Sequence, residues 1–181
     1  MLDLPLVLYA SPTLSGLKSA SLFTRSFPTR QEMLVTLLHQ NRSLSPKGLH
    51  LLPLSYHRNR VCLYLYRPTL LARDLSHPMA RALLWQLGYP SSCAACIVHL
   101  MKKLRTQDHF PHEIGLFLGY PPGDVLGFMR APEACLYTGC WKVYENVPLA
   151  QAKFSQYKKC TQYNCDQLSR GVSLDTLICP D

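Results

Sequence analysis

The order of apolar and polar positions splits the chain into short runs and longer helical ones. "PLVLYA" (5–10) is a short, continuous apolar run and reads as a buried strand. "SPTLSGLKSASLF" (11–23) reads as a loop leading into a helix, with Gly16 and Lys18 near the turn. In "RQEMLVTLLHQNR" (30–42), Met33, Leu34, Leu37 and Leu38 recur at helical spacing, and "SPKG" (45–48) ends the segment. "LHLLPLSYH" (49–57) and "RVCLYLYRP" (60–68) predict a hairpin across His57-Arg58-Asn59. In the second strand Val61, Leu63 and Leu65 alternate with Cys62, Tyr64 and Tyr66. Arg67 ends that strand and Pro68 opens the next segment.

Helical patterns dominate the middle of the chain. "SHPMARALLWQLGY" (76–89) has Ser76 as its cap, a proline in its first turn and Gly88 as its stop. "SSCAACIVHLMKKLRTQ" (91–107) starts at Ser91 or Ser92 and has an apolar face of Ile97, Val98, Leu100, Met101 and Leu104. "PHEIGLFLGYPPGDVLGFMR" (111–130) predicts a helix, a sharp turn and a second helix. Pro111 and Glu113 suit a first turn, Gly119 a left-handed end, and Pro121-Pro122 prevents continuation before Asp124 opens the next helix. "CWKVY" (140–144) alternates like a strand, with Lys142 on the face opposite Trp141 and Val143. Residues 148–171 form a long final helix closed by Gly171. The resulting order, β-α-β-β-α-α-α-α-β-α, predicts an α+β fold: a small, largely antiparallel sheet packed with several helices. The length of 181 residues suits a single domain, 1–181.

Composition narrows the setting. A hydrophobic content of 48% with 17% charged residues is that of a globular chain. No apolar run has the length that crosses a bilayer. The N-terminal stretch carries Asp3 and Pro5 without a basic leader, so it reads as a first strand and not a signal peptide. Eight cysteines without a secretory signal then read as reduced thiols in the cytoplasm. The net charge of +8 raises nucleic acid, but the basic residues are scattered, and the densest groups, "MKKLR" (101–105) and "YKK" (157–159), fit solvated helix faces. A helix-turn-helix reader is also disfavoured: "DVLGFMR" offers one arginine and no Asn, Gln or Lys for base edges.

Several motifs fall short of their chemistry. "HEIGL" begins like the zinc motif H-E-x-x-H, but Leu116 stands where the second histidine belongs. "SGLK" (15–18) has the S-x-x-K spacing of penicillin-recognising enzymes without S-D-N or K-T-G, which leaves Lys18 as a charge beside a helix N-terminus. "CAAC" (93–96) follows a helix where a redox dithiol would follow a strand, so it reads as two packing cysteines. With "CLYTGC" (135–140) and "CTQYNC" (160–165) it forms only a weak four-thiolate pattern. His112 is the residue type that exchanges protons near neutral pH, with Glu113 and Asp124 nearby in sequence. Adjacent residues on a helix diverge, so His112 and Glu113 each need a partner from elsewhere.

The ordered blocks "SPTLSGLKSASLF", "LYRP", "FPHEIGLFLGYPPGDVLGF", "GCWKVY" and "FSQYKKCTQY" resemble a bacterial family of domains of unknown function, found mainly in clostridia and their relatives. The resemblance runs from about residue 9 to about residue 170 and implies no particular activity. Two positions depart from it: Ala10 stands where the family often has cysteine, and Ser15 where alanine is common. Lys18, Arg67, His112, Glu113, Asp124, Trp141, Lys142, Tyr144 and Cys160 lie inside the blocks, whereas Cys93 and Cys96 lie outside.

These residues lead to three expectations. The first is a pocket for a small anionic ligand, or for acid–base chemistry on one, where Lys18, Arg67, His112, Glu113 and Lys142 converge. In it Lys18, His112 and Glu113 would act catalytically, and Arg67, Lys142 and Tyr144 would bind. The second is an iron, transition-metal or redox site built from His112, Glu113, Asp124 and Cys160. The third is an interaction module with an apolar patch around Phe117, Tyr120 and Phe128. Cofactor, reaction and oligomeric state stay open.

Overall fold

The computed structural model describes residues 2–106 and 110–180. Gln107, where the predicted helix 91–107 ends, lies outside the described residues. In chain order the elements are α1 (Asp3–Leu14), β1 (Ala20–Ser26), α2 (Arg30–Leu44), β2 (His50–His57), β3 (Arg60–Tyr66), α3 (Pro68–Leu75), α4 (Pro78–Gln86), α5 (Cys93–Thr106), α6 (Ile114–Phe117), α7 (Pro122–Arg130), β4 (Tyr137–Thr138), β5 (Lys142–Val143), α8 (Val147–Ser169) and α9 (Leu174–Leu177). The fold is α+β, with a three-stranded antiparallel sheet in the order β1-β3-β2 and a minimal β4-β5 ladder. The chain divides into two compact units, residues 1–70 with 159–181 and residues 71–158.

The first unit corrects the reading of the N-terminus. Residues 5–10 are helical, not a strand, and residues 20–26 are a strand, not a helix. Leu2, Leu6, Ala10 and Leu14 are buried at steps of four, whereas Leu4, Leu8 and Tyr9 are exposed. The apolar run is thus one helical stripe read together with its flank. Pro5 sits in the first turn, where a missing N–H removes no helix bond. Ser11 Oγ donates to Val7 O at 2.6 Å. These residues share a core with Phe23 of β1, Met33, Leu37 and Leu44 of α2, Leu51, Val61, Leu63 and Leu65 of the sheet, and Leu174, Leu177 and Ile178.

Other elements follow local chemistry. Thr29 caps α2 by accepting from the Glu32 N–H at 3.1 Å. The stripe that α2 buries is Met33, Leu37, Gln40 and Leu44; Leu34 and Leu38 face outward. The hairpin turns at Arg58 and Asn59, with φ of 46° and 62°, the left-handed pair of a two-residue turn. Pro53 lies on β2, an edge strand, next to a bulge between Pro53 and Ser55.

In the second unit His77, not Ser76, precedes α4. Ser76 Oγ instead donates to Ala72 O at 2.7 Å, closing α3. Ser92 caps α5, accepting from the Ala95 N–H. Within α5 Cys96, Ile97 and Leu100 are buried and Val98 is exposed. The 111–130 corner is α6, a left-handed Gly119 (φ 70°) and α7. Trp141 and Val143 are buried with Ala150 and Tyr157 of α8, while Lys142 faces outward.

Candidate functional site

Three of the predicted residues, His112, Glu113 and Lys142, belong to the second unit, and two, Lys18 and Arg67, belong to the first. Arg67 is 1% exposed. Its guanidinium donates to the carbonyls of Thr13 and Leu14, each at 2.7 Å, and to Cys179 O at 2.5 Å. It ties the end of α1 to the C-terminal tail. Lys18 follows the C-terminus of α1, because the helix precedes it rather than follows it. That corrects its assignment to a helix N-terminus. Its backbone N–H donates to Pro12 O at 3.2 Å. Ser15, first in the S-x-x-K pattern, accepts from Cys160 Sγ and from Asn164 Nδ2, each at 3.3 Å.

Glu113 and His112 diverge, as neighbours on a helical turn must. Glu113 is 4% exposed and points inward. Its Oε1 accepts from Tyr89 Oη at 2.9 Å and forms an ion pair with Lys103 Nζ. Burial pushes this carboxyl up, but hydrogen bonds from Lys103, the backbone and Tyr89 outweigh it, leaving it below the ordinary carboxyl value. Burial, with the Glu113 charge beside it, raises the Tyr89 phenol. Lys103 also lies 5.2 Å from the Tyr89 ring centroid, which in turn contacts His99 and Phe117. Lys103 comes from the "MKKLR" run, so one lysine of that run is an internal partner and not a solvated one.

Asp124 is buried with both carboxylate oxygens occupied. Oδ2 accepts from Trp141 Nε1 at 2.7 Å, and Oδ1 from the backbone N–H groups of Tyr144 at 2.7 Å and Glu145 at 3.3 Å. It therefore fixes the indole and the strand that carries Lys142. Tyr144 Oη donates to Pro132 O at 3.0 Å, and its ring packs so closely on Gly127 that a β-carbon there would collide with it.

His112 and Lys142 meet around one ring, Phe128. The His112 imidazole stands edge-on to it, with centroids 5.0 Å apart, and Lys142 Nζ lies 5.4 Å from its centroid. Both line a cavity of about 410 Å³ with Phe110, Pro111, Ile114, Gly115, Tyr120, Asp124, Val125, Phe128 and Trp141. This volume falls within the common range for small-molecule sites. The HEIGLFLGYP corner, folded back by Gly119, thus supplies one wall, and α7 with β5 the other. Phe110, Tyr120 and Trp141 are functional candidates that residue charge alone does not reveal. Aromatic residues at a turn read equally well as packing.

A second cavity of about 640 Å³ is lined by Arg81, Trp85, Tyr89, Cys93 and Cys96 among others. Burial raises both thiols, with the two cysteines also raising Cys93 through their proximity, and Cys96 Sγ donates to Pro90 O at 2.9 Å. Two thiols with raised pKa, one of them hydrogen-bonded to a backbone carbonyl, fit the packing reading of "CAAC" better than thiolate chemistry.

Among the described residues no three His, Cys, Asp or Glu side chains gather around a point that would hold a metal. This corrects the donor set His112, Glu113, Asp124 and Cys160: both carboxylates are occupied by other donors, and Cys160 bonds Ser15 in the first unit. The same holds for the four-thiolate pattern. The proposed apolar patch is corrected at Phe117, which is fully buried. Among the described residues no helix is long and apolar enough to cross a membrane.

The fold and the cavity define an α+β protein with an aromatic-walled, basic-edged site. The chain belongs to a family described as protein of unknown function (DUF3793), whose model matches residues 6–178. No curated protein and no solved structure matches the chain.

Proposed function

We propose that this protein binds a small anionic ligand in the 410 Å³ cavity of its second unit. The observation that carries the reading is that His112 and Lys142 both lie against the Phe128 ring at that cavity. Lys142 Nζ meets Pro132 O at 3.3 Å, which leaves ammonium hydrogens for a ligand, and among the described residues no side chain bonds the His112 ring nitrogens. Asp124, the carboxylate in the lining, has its charge directed at Trp141 and the backbone. Lys142 is thus the anion-binding residue, and His112 a donor or proton acceptor for the bound group. Tyr144, placed by the same Asp124, supports the strand under Lys142. Glu113 acts from behind by fixing the helical turn that carries His112. Lys18 and Arg67 keep their structural settings in the first unit.

The setting that fits this reading is the bacterial cytoplasm. Among the described residues the eight cysteines form no disulfide, which suits a reducing compartment.

The test is thermal stability of the full chain at low salt, with small carboxylates and phosphates set against uncharged counterparts of the same size. Anions are expected to raise the midpoint by mass action, and Lys142→Ala to abolish that rise. An equal rise from the uncharged compounds would overturn the reading.

A further inference from the structure

We infer that the ligand of this site is a flat aromatic acid: a ring system held among the aromatic walls, with a single carboxylate reaching Lys142 and His112. This inference rests on the anion reading above and specifies the part of the ligand remote from the charge.

The argument starts from what the cavity offers. Phe110, Tyr120, Phe128 and Trp141 bring four rings to a space of about 410 Å³. Rings contact rings through offset faces and edges, with attraction beyond what area alone gives, and a saturated skeleton forfeits that part. Two of these rings, Trp141 and Tyr120, are held in place. Trp141 is anchored by its N–H to Asp124 and packs at 5.0 Å from Tyr120 and 4.5 Å from Phe154. A wall anchored at these two rings favours a flat guest that can stack against them.

The polar groups are few and of one kind. Asp124 already accepts three hydrogen bonds, from Trp141 Nε1 and from the backbone N–H groups of Tyr144 and Glu145, which take up most of its acceptor capacity. Lys142 and His112 offer donors, and both lie against the same ring, Phe128. A polyanion or a sugar-like ligand would need donors and acceptors spread around the cavity. Here the two donors share one neighbour, Phe128, matching one acidic group on an otherwise apolar body. Binding would bring the carboxylate against the Lys142 ammonium and leave the ring between His112's neighbours Pro111 and Ile114 and the Trp141 side. No covalent step is involved.

The experiment is a titration of the full ¹⁵N-labelled chain with three compounds on related skeletons: 2-naphthoate, decahydro-2-naphthoate and 2-naphthylmethanol. Binding is followed by the two tryptophan indole N–H resonances. Trp85→Phe assigns them, and Trp85 at 76% exposure tolerates that change. 2-Naphthoate is expected to shift the Trp141 resonance and leave Trp85 in place. It should bind about fivefold tighter than its saturated counterpart and about tenfold tighter than the alcohol. Lys142→Ala, an exposed position, should remove the advantage over the alcohol while the Trp85 resonance reports an intact fold. If the saturated acid binds as tightly as the aromatic one, the aromatic class falls and the anion reading stands. If the alcohol binds as tightly as the acid, both fall. Both also fall if neither acid moves the Trp141 resonance at millimolar concentration.

Discussion

Glu113 is a carboxylate whose pKa burial alone would raise, and its neighbours reverse that shift. Because its folded value lies below the ordinary 4.5, its contribution to stability is complete above that pH. It is lost progressively as the pH falls from there through the native value. Urea titrations of the wild type should show this acid limb, and Glu113→Gln should flatten it while costing about 2 kcal/mol near neutral pH, because Lys103 then faces a neutral amide. An unchanged acid limb in the variant would refute the assignment. Asp124 is tested in the same way. In Asp124→Asn an amide nitrogen must oppose either the Trp141 N–H or the backbone N–H groups of Tyr144 and Glu145, and about 2 kcal/mol should be lost with a shift of the indole resonance. The sequence marks both acids as unusual, in a corner rich in glycine and proline. It cannot name Tyr89, Lys103 or Trp141 as their partners, because those contacts join positions ten or more residues apart.

Among the elements, those governed by local rules are readable in advance. The β2-β3 hairpin, the capped α2, the α6-turn-α7 corner and the long α8 each carry their own start, stop or period. The reading fails at α1, where "PLVLYA" is too short to separate a helix stripe from a strand, and the deciding residues, Leu2 and Leu14, stand outside the run. The error then propagates to β1, since a strand placed first demands a helix next. Two substitutions test the elements as built. Arg58→Asn puts a residue tolerant of left-handed backbone into the hairpin and should stabilise by about 0.5–1 kcal/mol in thermal or urea unfolding. Gly127→Ala drives a methyl group into the Tyr144 ring and should destabilise by about 1–3 kcal/mol.

For the molecule as a whole, Arg67 is the residue whose loss reaches furthest within its unit. One guanidinium serves the neighbouring carbonyls of Thr13 and Leu14 and that of Cys179, far away in the sequence. Lysine presents one compact charge in place of a fork, so Arg67→Lys should lose about 3 kcal/mol and make the tail at 174–180 a site of early proteolytic cleavage. Cleavage kinetics identical to the wild type would show the tail to be held by its apolar residues alone. The α+β class was readable because strands and helices are counted from local pattern. The division into two units was not, because it depends on the tail returning to the core of α1, which no local pattern records.

That return has a consequence for synthesis. Residues 71–158 are one continuous stretch, and their unit is complete as soon as it has left the ribosome. The first unit is interrupted: its sheet is made early, but Leu174, Leu177 and Ile178 are made only after the whole second unit. Until they are, part of the apolar face of α1 stays uncovered on the nascent chain, which makes it a natural surface for a chaperone to guard.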